Sequence, residues 1–103
     1  MAEVRWTDQA IEDINNIAEY ISKDSLTFAR IQTDRFFERV EILETQPLAG
    51  RIVPELNDQT IRELVMGNYR IVYLMDSEDT ATILTVHHSR RQLSNNPAFE
   101  EDK

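Results

Sequence analysis

The chain has 103 residues, the length of one compact domain, and its 41% hydrophobic and 29% charged residues are those of an ordinary globular protein rather than a disordered or fibrous one. The absence of cysteine excludes disulfides, thiolate metal sites and thiol nucleophiles, and it favours a reducing compartment. The formal net charge of -8 argues against a general coat for DNA or RNA, because such binding needs Lys and Arg to neutralise phosphates.

Residues 3–6 alternate charged with apolar side chains, which is the pattern of a half-buried strand. The chain start lacks the basic and apolar regions of a signal peptide, and no apolar run reaches the roughly 18 to 20 residues of a membrane span. We therefore expect a cytoplasmic protein with no membrane partner. Thr7 is suited to cap a helix whose apolar residues recur every three or four positions. These residues are Ala10, Ile11, Ile14, Ile17, Ala18 and Ile21.

A second helix is predicted from Ser25, a capping residue, to about Thr45, and it forms a hairpin with the first. Its apolar side is expected to contain Phe28, Ala29, Phe36, Val40 and Leu43. Pro47 and Gly50 then end helical order. Residues 46–60 are predicted to be an irregular, exposed loop.

The second half of the chain is rich in β-branched and aromatic residues, in three runs that predict consecutive strands. The runs are 61–65, 69–75 and 80–88, with the Gly67-Asn68 pair suited to a two-residue hairpin turn. The order strand, helix, helix, strand, strand, strand predicts an α+β domain in which the helical hairpin packs on one face of a small antiparallel sheet. The other face is expected to be open and to bind a ligand or partner.

We expect a single domain over residues 1–97, followed by an acidic C-terminal tail, 98–103, that is frayed. Nine of the 11 basic residues are arginine, the side chain suited to bidentate contacts with phosphate or carboxylate.

Six short stretches in a fixed order and spacing carry a family resemblance across nearly the whole chain. They are Val4-Arg5-Trp6-Thr7 with Ala10, Ile17-Ala18-Glu19-Tyr20-Ile21, Pro47-Leu48-Ala49-Gly50-Arg51-Ile52-Val53-Pro54-Glu55, Ile61-Arg62-Glu63-Leu64, Tyr69-Arg70-Ile71-Val72-Tyr73 and Val86-His87-His88-Ser89-Arg90-Arg91. Together they resemble the RelE/ParE superfamily of small bacterial toxins, and most closely its ParE-like plasmid-stabilisation branch. The resemblance implies a toxin of a type II toxin–antitoxin system. A cognate antitoxin would neutralise it by folding over the helical hairpin and sheet.

The superfamily has two kinds of target on one scaffold. ParE-type members block DNA gyrase, whereas RelE-type members cut messenger RNA in the ribosomal A site. The resemblance therefore implies a gyrase inhibitor without a cofactor or metal, and the alternative is a ribosome-dependent, metal-independent mRNA endonuclease. A second alternative is a non-toxic member that only binds its partner and represses its own operon, reaching operator DNA only through the antitoxin.

By the resemblance, a nuclease would use Glu55, Arg70 and His88. Glu55 would take the proton of a ribose 2′-hydroxyl, Arg70 would neutralise the phosphorane, and His88 would protonate the departing 5′-oxygen. Two observations favour gyrase instead: Ser89 stands where those nucleases have an aromatic residue, and the chain is acidic. In either case we expect the target or the antitoxin to be bound by Arg51, Arg62, Arg70, Arg90 and Arg91.

Arg70 interrupts an apolar strand that is expected to be central in the sheet. A cation there needs either a partner or an open surface. Two interpretations follow: an ion pair with Glu63 or Glu55, or a guanidinium exposed to a target. Cooperation of Arg70 with His88 also requires both to share a face of the sheet, and a one-residue change of register places His87 there instead.

Overall fold

The elements follow the predicted order along the chain, with three short additions. The structure is a computed structural model that describes residues 1–89 and 96–99. Its elements are β1 (Glu3–Trp6), α1 (Asp8–Ser22), α2 (Leu26–Val40), α3 (Ile42–Thr45), β2 (Arg51–Ile52), β3 (Ile61–Met66), β4 (Tyr69–Ser77), β5 (Thr80–His88) and a 3-10 turn, Pro97–Phe99. The predicted α+β class, with two helices packed on one sheet, is confirmed.

Side-chain caps start both long helices. The Thr7 hydroxyl accepts a hydrogen bond from the Ala10 N–H, and the Ser25 hydroxyl accepts one from the Phe28 N–H. The second predicted helix is interrupted at Glu41, so that α3 forms a separate short helix after α2. No helix in the described part of the chain is long and apolar enough to cross a membrane.

The sheet has five strands in the order β1-β5-β4-β3-β2, which places β4 at its centre as predicted. Strands β2 to β5 are antiparallel, but β1 lies parallel to β5, so the sheet is mixed rather than wholly antiparallel. The long connection through both helices permits this parallel pairing, which a short turn does not. Gly67, at φ 57°, occupies the hairpin position between β3 and β4 that requires a positive φ.

The helices cover one face of the sheet, called here the helix face. Phe36, Val40 and Leu43 pack there against strand residues that include Ile71 and Ile83, and all five are buried. The apolar positions predicted for α1 and α2 are largely confirmed by this core, which contains Ala10, Ile14, Phe36, Val40 and Leu43.

Two predicted core positions are wrong. Phe28 is 66% exposed and Ile11 is 37% exposed. Phe28 precedes the buried Ala29, and consecutive residues differ by about 100° around a helix, so both cannot face the sheet. The outer surface of the hairpin therefore carries large apolar side chains.

The edge of β5 beyond its short partner β1 is occupied by side chains. The Thr7 hydroxyl lies 2.8 Å from the Ile83 carbonyl oxygen and 3.1 Å from that of Leu84. One carboxylate oxygen of Asp13 accepts hydrogen bonds from the Thr85 hydroxyl and from the Val86 N–H. Polar groups from the start of the chain thus satisfy backbone atoms that an edge strand would otherwise leave unpaired.

The opposite side of the sheet, called here the second face, was predicted to be open, and that prediction is wrong. The loop after β2 folds back over this face, and Val53 packs against Val72, with both fully buried. Glu63, Thr85 and His87 on this face are also at most 3% exposed. Residues 46–60 are therefore only partly an exposed loop, because their own apolar side chains are drawn onto the sheet.

Candidate functional site

Four alternating charges on the second face form the most distinctive polar feature of the described residues. This charge cluster consists of Arg51 on β2, Glu63 on β3, Arg70 on β4 and Glu55 in the loop between β2 and β3. Glu63 lies directly opposite Arg51 across the β2–β3 pair, and Val72 on its other side is two residues from Arg70. The strand register therefore brings the four side chains together.

Arg70 is held along both edges of its guanidinium group. Its Nε donates to Glu63 Oε1 at 2.5 Å, while Nη1 and Nη2 donate to the two carboxylate oxygens of Glu55 at 2.6 and 2.8 Å. The contact with Glu55 is a bidentate pair, the arrangement in which arginine binds carboxylates most strongly. Only 10% of the Arg70 side chain remains exposed, so the strand holds the cation in a fixed position and orientation.

Glu63 is the buried centre of the cluster. Its side chain is 0% exposed, and its second oxygen accepts a hydrogen bond of 2.6 Å from Arg51 Nε. A carboxylate this deep requires charged partners, because desolvation of an unpaired ion is costly. The cluster is graded outward from this centre, since the side chains of Arg51 and Glu55 are 61% and 47% exposed.

The pKa values of the outer pair reflect these contacts. Hydrogen bonding to Arg70 lowers the pKa of the Glu55 carboxyl from its usual 4.5, although partial burial opposes this effect. Hydrogen bonding to Glu55 likewise raises the pKa of the Arg70 guanidinium above its ordinary value. Each group stabilises the charged form of the other.

Two sets of contacts hold the segment around β2 that leads to Glu55. Val53 anchors it in the second face, and the segment just before β2 is held by the Tyr73 hydroxyl, which donates to the Pro47 carbonyl and accepts from the Gly50 N–H at 2.9 Å. Burial raises the pKa of the Tyr73 hydroxyl, so it stays protonated. A Cβ at Gly50 would lie 2.6 Å from the Glu63 carbonyl oxygen, which leaves space there for glycine only.

Arg70 is not the exposed guanidinium that one interpretation expected, and the ion-pair interpretation is confirmed with both proposed partners. The physical reason is that the folded-back loop supplies Glu55 while β3 supplies Glu63. A role of Arg70 in binding the target or the antitoxin stays a prediction. The sequence-derived nuclease residues Glu55 and Arg70 do lie together, but they bind each other.

His88 lies on the other face of the sheet from Arg70. The β4–β5 register pairs His88 with Tyr69 and pairs Arg70 with His87. The Tyr69 ring contacts both Phe36 and His88 edge-on, at centroid distances of 5.2 and 5.4 Å, which places His88 on the helix face. The nuclease set Glu55, Arg70 and His88 is therefore divided by the sheet.

The other arginines predicted to bind a partner have different surroundings. Arg62 is half-buried on the helix face, opposite Tyr73, and its Nη1 donates to the Gly50 carbonyl at 2.8 Å. Arg51 is the most exposed arginine of the charge cluster. The predicted contacts of Arg90 and Arg91 lie outside the described residues. Within the described ranges, no three His, Asp or Glu side chains are grouped closely enough to hold a metal ion.

Sequence reasoning missed two contributions to this site. One is the loop that covers the second face, for which Val53 and Leu56 on either side of Glu55 were the available signal. The other is Asn96, whose side-chain amide lies 2.9 Å from the Thr85 hydroxyl and 3.4 Å from His87 Nδ1. An asparagine in a polar stretch offers no signal that it packs on a sheet.

Comparisons with known proteins agree with this architecture. The family described as the ParE toxin of the type II toxin–antitoxin system parDE matches residues 4–93. A solved structure of the chromosomal ParDE system from P. aeruginosa is similar, with a TM-score of 0.70 and 19% identity over 85% of this chain and 96% of that one. A chain of the RelBE2 toxin–antitoxin complex from Mycobacterium tuberculosis is similar as well, with a TM-score of 0.54 and 25% identity over 84% and 96%. No curated protein matches the sequence significantly.

The resemblance seen in the six sequence stretches is thus confirmed over most of the chain, and the structures share its arrangement of a helical hairpin on a sheet. The chain belongs to the ParE family of toxins of type II toxin–antitoxin systems.

Proposed function

We propose that this toxin inhibits DNA gyrase without cutting a nucleic acid itself, and that a cognate antitoxin neutralises it in the cytoplasm. The observation that carries the choice between gyrase and the ribosome is the state of Arg70. Its guanidinium is bound along both edges by Glu63 and Glu55, where a nuclease requires a cation available to a phosphorane. The net charge of -8 supports the same choice, because a ribosomal RNA surface repels an acidic protein.

The position of His88 supports it independently. A general acid must come within hydrogen-bond reach of the atom that it protonates, and His88 lies across the sheet from Glu55 and Arg70. Bringing the three together requires a one-residue shift of β5, which would move its buried residues Val86 and Ile83 off the helix face. The core opposes that shift.

The exposed part of the charge cluster is the surface that we assign to target binding. Arg51 is 61% exposed and lies at the sheet edge, so a partner can reach it without moving the loop. Arg90 and Arg91 remain predicted contacts. Operator DNA, in this proposal, is reached only through the antitoxin.

The antitoxin is assigned to the helical hairpin. Tyr20, Leu26 and Phe28 are 73%, 64% and 66% exposed there, more apolar area than a small free domain needs to present. The similar structures come from a ParDE system and a RelBE2 toxin–antitoxin complex, which supports a partner of this kind. An amphipathic antitoxin segment would cover these side chains.

Supercoiling by purified gyrase tests the target. The wild-type protein is expected to inhibit supercoiling and to accumulate cleaved DNA, whereas Arg51→Gln should require about tenfold more protein, the loss expected for one charge-assisted hydrogen bond. Arg5→Gln is the control for the loss of an exposed, paired arginine, and the melting temperature of Arg51→Gln is measured in parallel because Arg51 also binds the buried Glu63. Unchanged supercoiling at saturating wild-type protein contradicts the proposal.

A translating extract tests the nuclease alternative with the same protein. Message cut in the ribosome, and cutting reduced by roughly two or more orders of magnitude in His88→Ala, would replace gyrase inhibition by general-acid catalysis. Arg70 is unsuitable for this test, because its loss disturbs the buried cluster as well as any chemistry. Absence of both activities would favour the non-toxic, operon-repressing alternative.

Binding of the antitoxin is tested at Phe28. Phe28→Asp should weaken the complex by at least about tenfold, because it places a charge in an interface that buries apolar surface. Thr27→Asp introduces the same charge at the neighbouring exposed position of α2 and should have a much smaller effect. Equal effects of the two variants would remove the hairpin as the binding surface.

A further inference from the structure

The outer edge of Arg70 has the geometry of a binding site that is already filled. Glu63 holds Nε from beneath, so the plane of the guanidinium is fixed and Nη1 and Nη2 point toward the loop. Glu55 meets both of these nitrogens with its two oxygens. A planar fork fixed from behind and presented outward is what bidentate recognition of an oxyanion requires.

Glu55 differs from Glu63 in how firmly it is held. Glu63 is fully buried between strands, whereas Glu55 is 47% exposed in a segment without regular secondary structure. Rotation of the Glu55 side chain would vacate the fork and leave Glu63, β4 and the buried loop anchor Val53 in place. The inner carboxylate is structural, and the outer one can be exchanged.

The charges that remain after such a rotation define the incoming group. Arg51, Arg70 and Glu63 together carry a net charge of +1, in a protein whose net charge is -8. A monoanion restores the neutrality that Glu55 now supplies, whereas a phosphate dianion leaves an excess negative charge beside the buried Glu63. The net negative charge of the whole chain also repels the phosphates of a nucleic acid.

We propose that Glu55 is the resident occupant of a carboxylate-binding site, and that an aspartate or glutamate side chain of the antitoxin displaces it when the complex forms. This inference rests on the proposed antitoxin. Because one carboxylate replaces another, the exchange adds little affinity by itself. It instead gives selectivity, since only a partner with an acidic group at that point avoids leaving Arg70 without its outer partner.

A first experiment asks whether the fork accepts a carboxylate from solution. In Glu55→Ala, sodium propionate should raise the melting temperature saturably, by about 4–8 °C at roughly four times its dissociation constant. Wild-type protein should show no saturable rise, because its site is filled. Glu3→Ala is the control, since it removes the carboxylate of an exposed ion pair with Arg5 and should gain nothing from propionate.

Sodium chloride at equal ionic strength corrects for screening in these titrations. Absence of a saturable shift in a folded Glu55→Ala protein overturns the proposal. Inorganic phosphate that binds more than tenfold more tightly than propionate overturns its assignment to a carboxylate and points to a phosphate ligand.

A second experiment uses the antitoxin. If Glu55 fills the site about nine-tenths of the time, Glu55→Gln should tighten the complex about tenfold, because the antitoxin no longer competes with it. Glu3→Gln should leave the affinity unchanged. Equal or weaker binding by Glu55→Gln overturns the exchange.

These results separate the two proposals. If wild-type protein inhibits gyrase but Glu55→Gln binds the antitoxin no more tightly than wild type, the exchange fails and the proposed function stands. If wild-type protein binds no antitoxin, both the proposed antitoxin partner and the proposed displacement of Glu55 by its acidic side chain are rejected. The propionate titration then decides whether the carboxylate site exists.

Discussion

The two faces of the sheet are stabilised by different kinds of interaction. The helix face buries apolar side chains such as Phe36, Leu64 and Ile71, whose contacts are non-directional and sum over area. The second face buries Glu63 and most of Arg70, which are tolerated only because each holds the other and a further partner. The comparison teaches that substitutions on the helix face destabilise the protein by removing side-chain volume, whereas substitutions on the second face destabilise it by removing an ion-pair partner.

The largest loss of stability is expected from a substitution in the core of the helix face. Phe36→Ala should lower the free energy of unfolding by about 3–5 kcal/mol, because it removes a fully buried ring and leaves a cavity between α2 and the sheet. Phe28→Ala on the same helix should change it by less than about 0.5 kcal/mol, since that ring is exposed. Urea unfolding monitored by circular dichroism measures both, and similar losses would contradict the assignment of the core.

A comparable effect without any change of volume is expected on the second face. Glu63→Gln keeps the shape of the side chain but leaves two guanidinium groups around a neutral amide, so we expect a loss of about 3 kcal/mol. The exposed Glu3→Gln should cost less than about 1 kcal/mol. A loss at Glu63 as small as at Glu3 would show that the charge cluster contributes little to stability.

A smaller effect is expected at the Tyr73 hydroxyl, which holds the segment before β2. Tyr73→Phe removes the hydroxyl that binds Pro47 and Gly50, and the unpaired backbone groups should cost about 1–3 kcal/mol. Thermal unfolding measures this loss. A change below about 0.5 kcal/mol would mean that the loop is anchored by Val53 without help from the hydroxyl.

The smallest effect concerns the outer carboxylate, and its sign depends on pH. Because the pKa of Glu55 is lower in the folded protein than its usual 4.5, its contribution to stability is present above that pH and is lost as the pH falls through the folded value. The free energy of unfolding of the wild-type protein should exceed that of Glu55→Gln by at most about 1 kcal/mol near neutral pH.

Unfolding curves at a series of pH values test this directly. The difference between wild type and Glu55→Gln should stay constant from neutral pH to about pH 5.5 and shrink below it. A difference that grows on acidification would contradict the ion pair with Arg70.

The sequence predicted the helix face better than the second face, for physical reasons. Repeats of 3.6 residues identified Ala10, Ile14 and Phe36, because helix periodicity is local. Burial on the second face depends instead on a loop that returns to the sheet and on the register of β5, which are set by contacts distant in sequence. The sequence identified Glu63 and Glu55 as possible partners of Arg70, but it could not decide between an ion pair and an exposed guanidinium. It also could not assign the face of the sheet on which His88 lies.

The hydrogen bonds that Thr7 and Asp13 make along β5 have a consequence for the protein when it is produced without its antitoxin. A bare strand edge is a template on which further copies can add in register and grow into fibrils. Here the carbonyls of Ile83 and Leu84 and the amide of Val86 are already occupied by the chain's own side chains. At this edge, therefore, a newly made molecule is protected from ordered aggregation during the interval before a partner arrives.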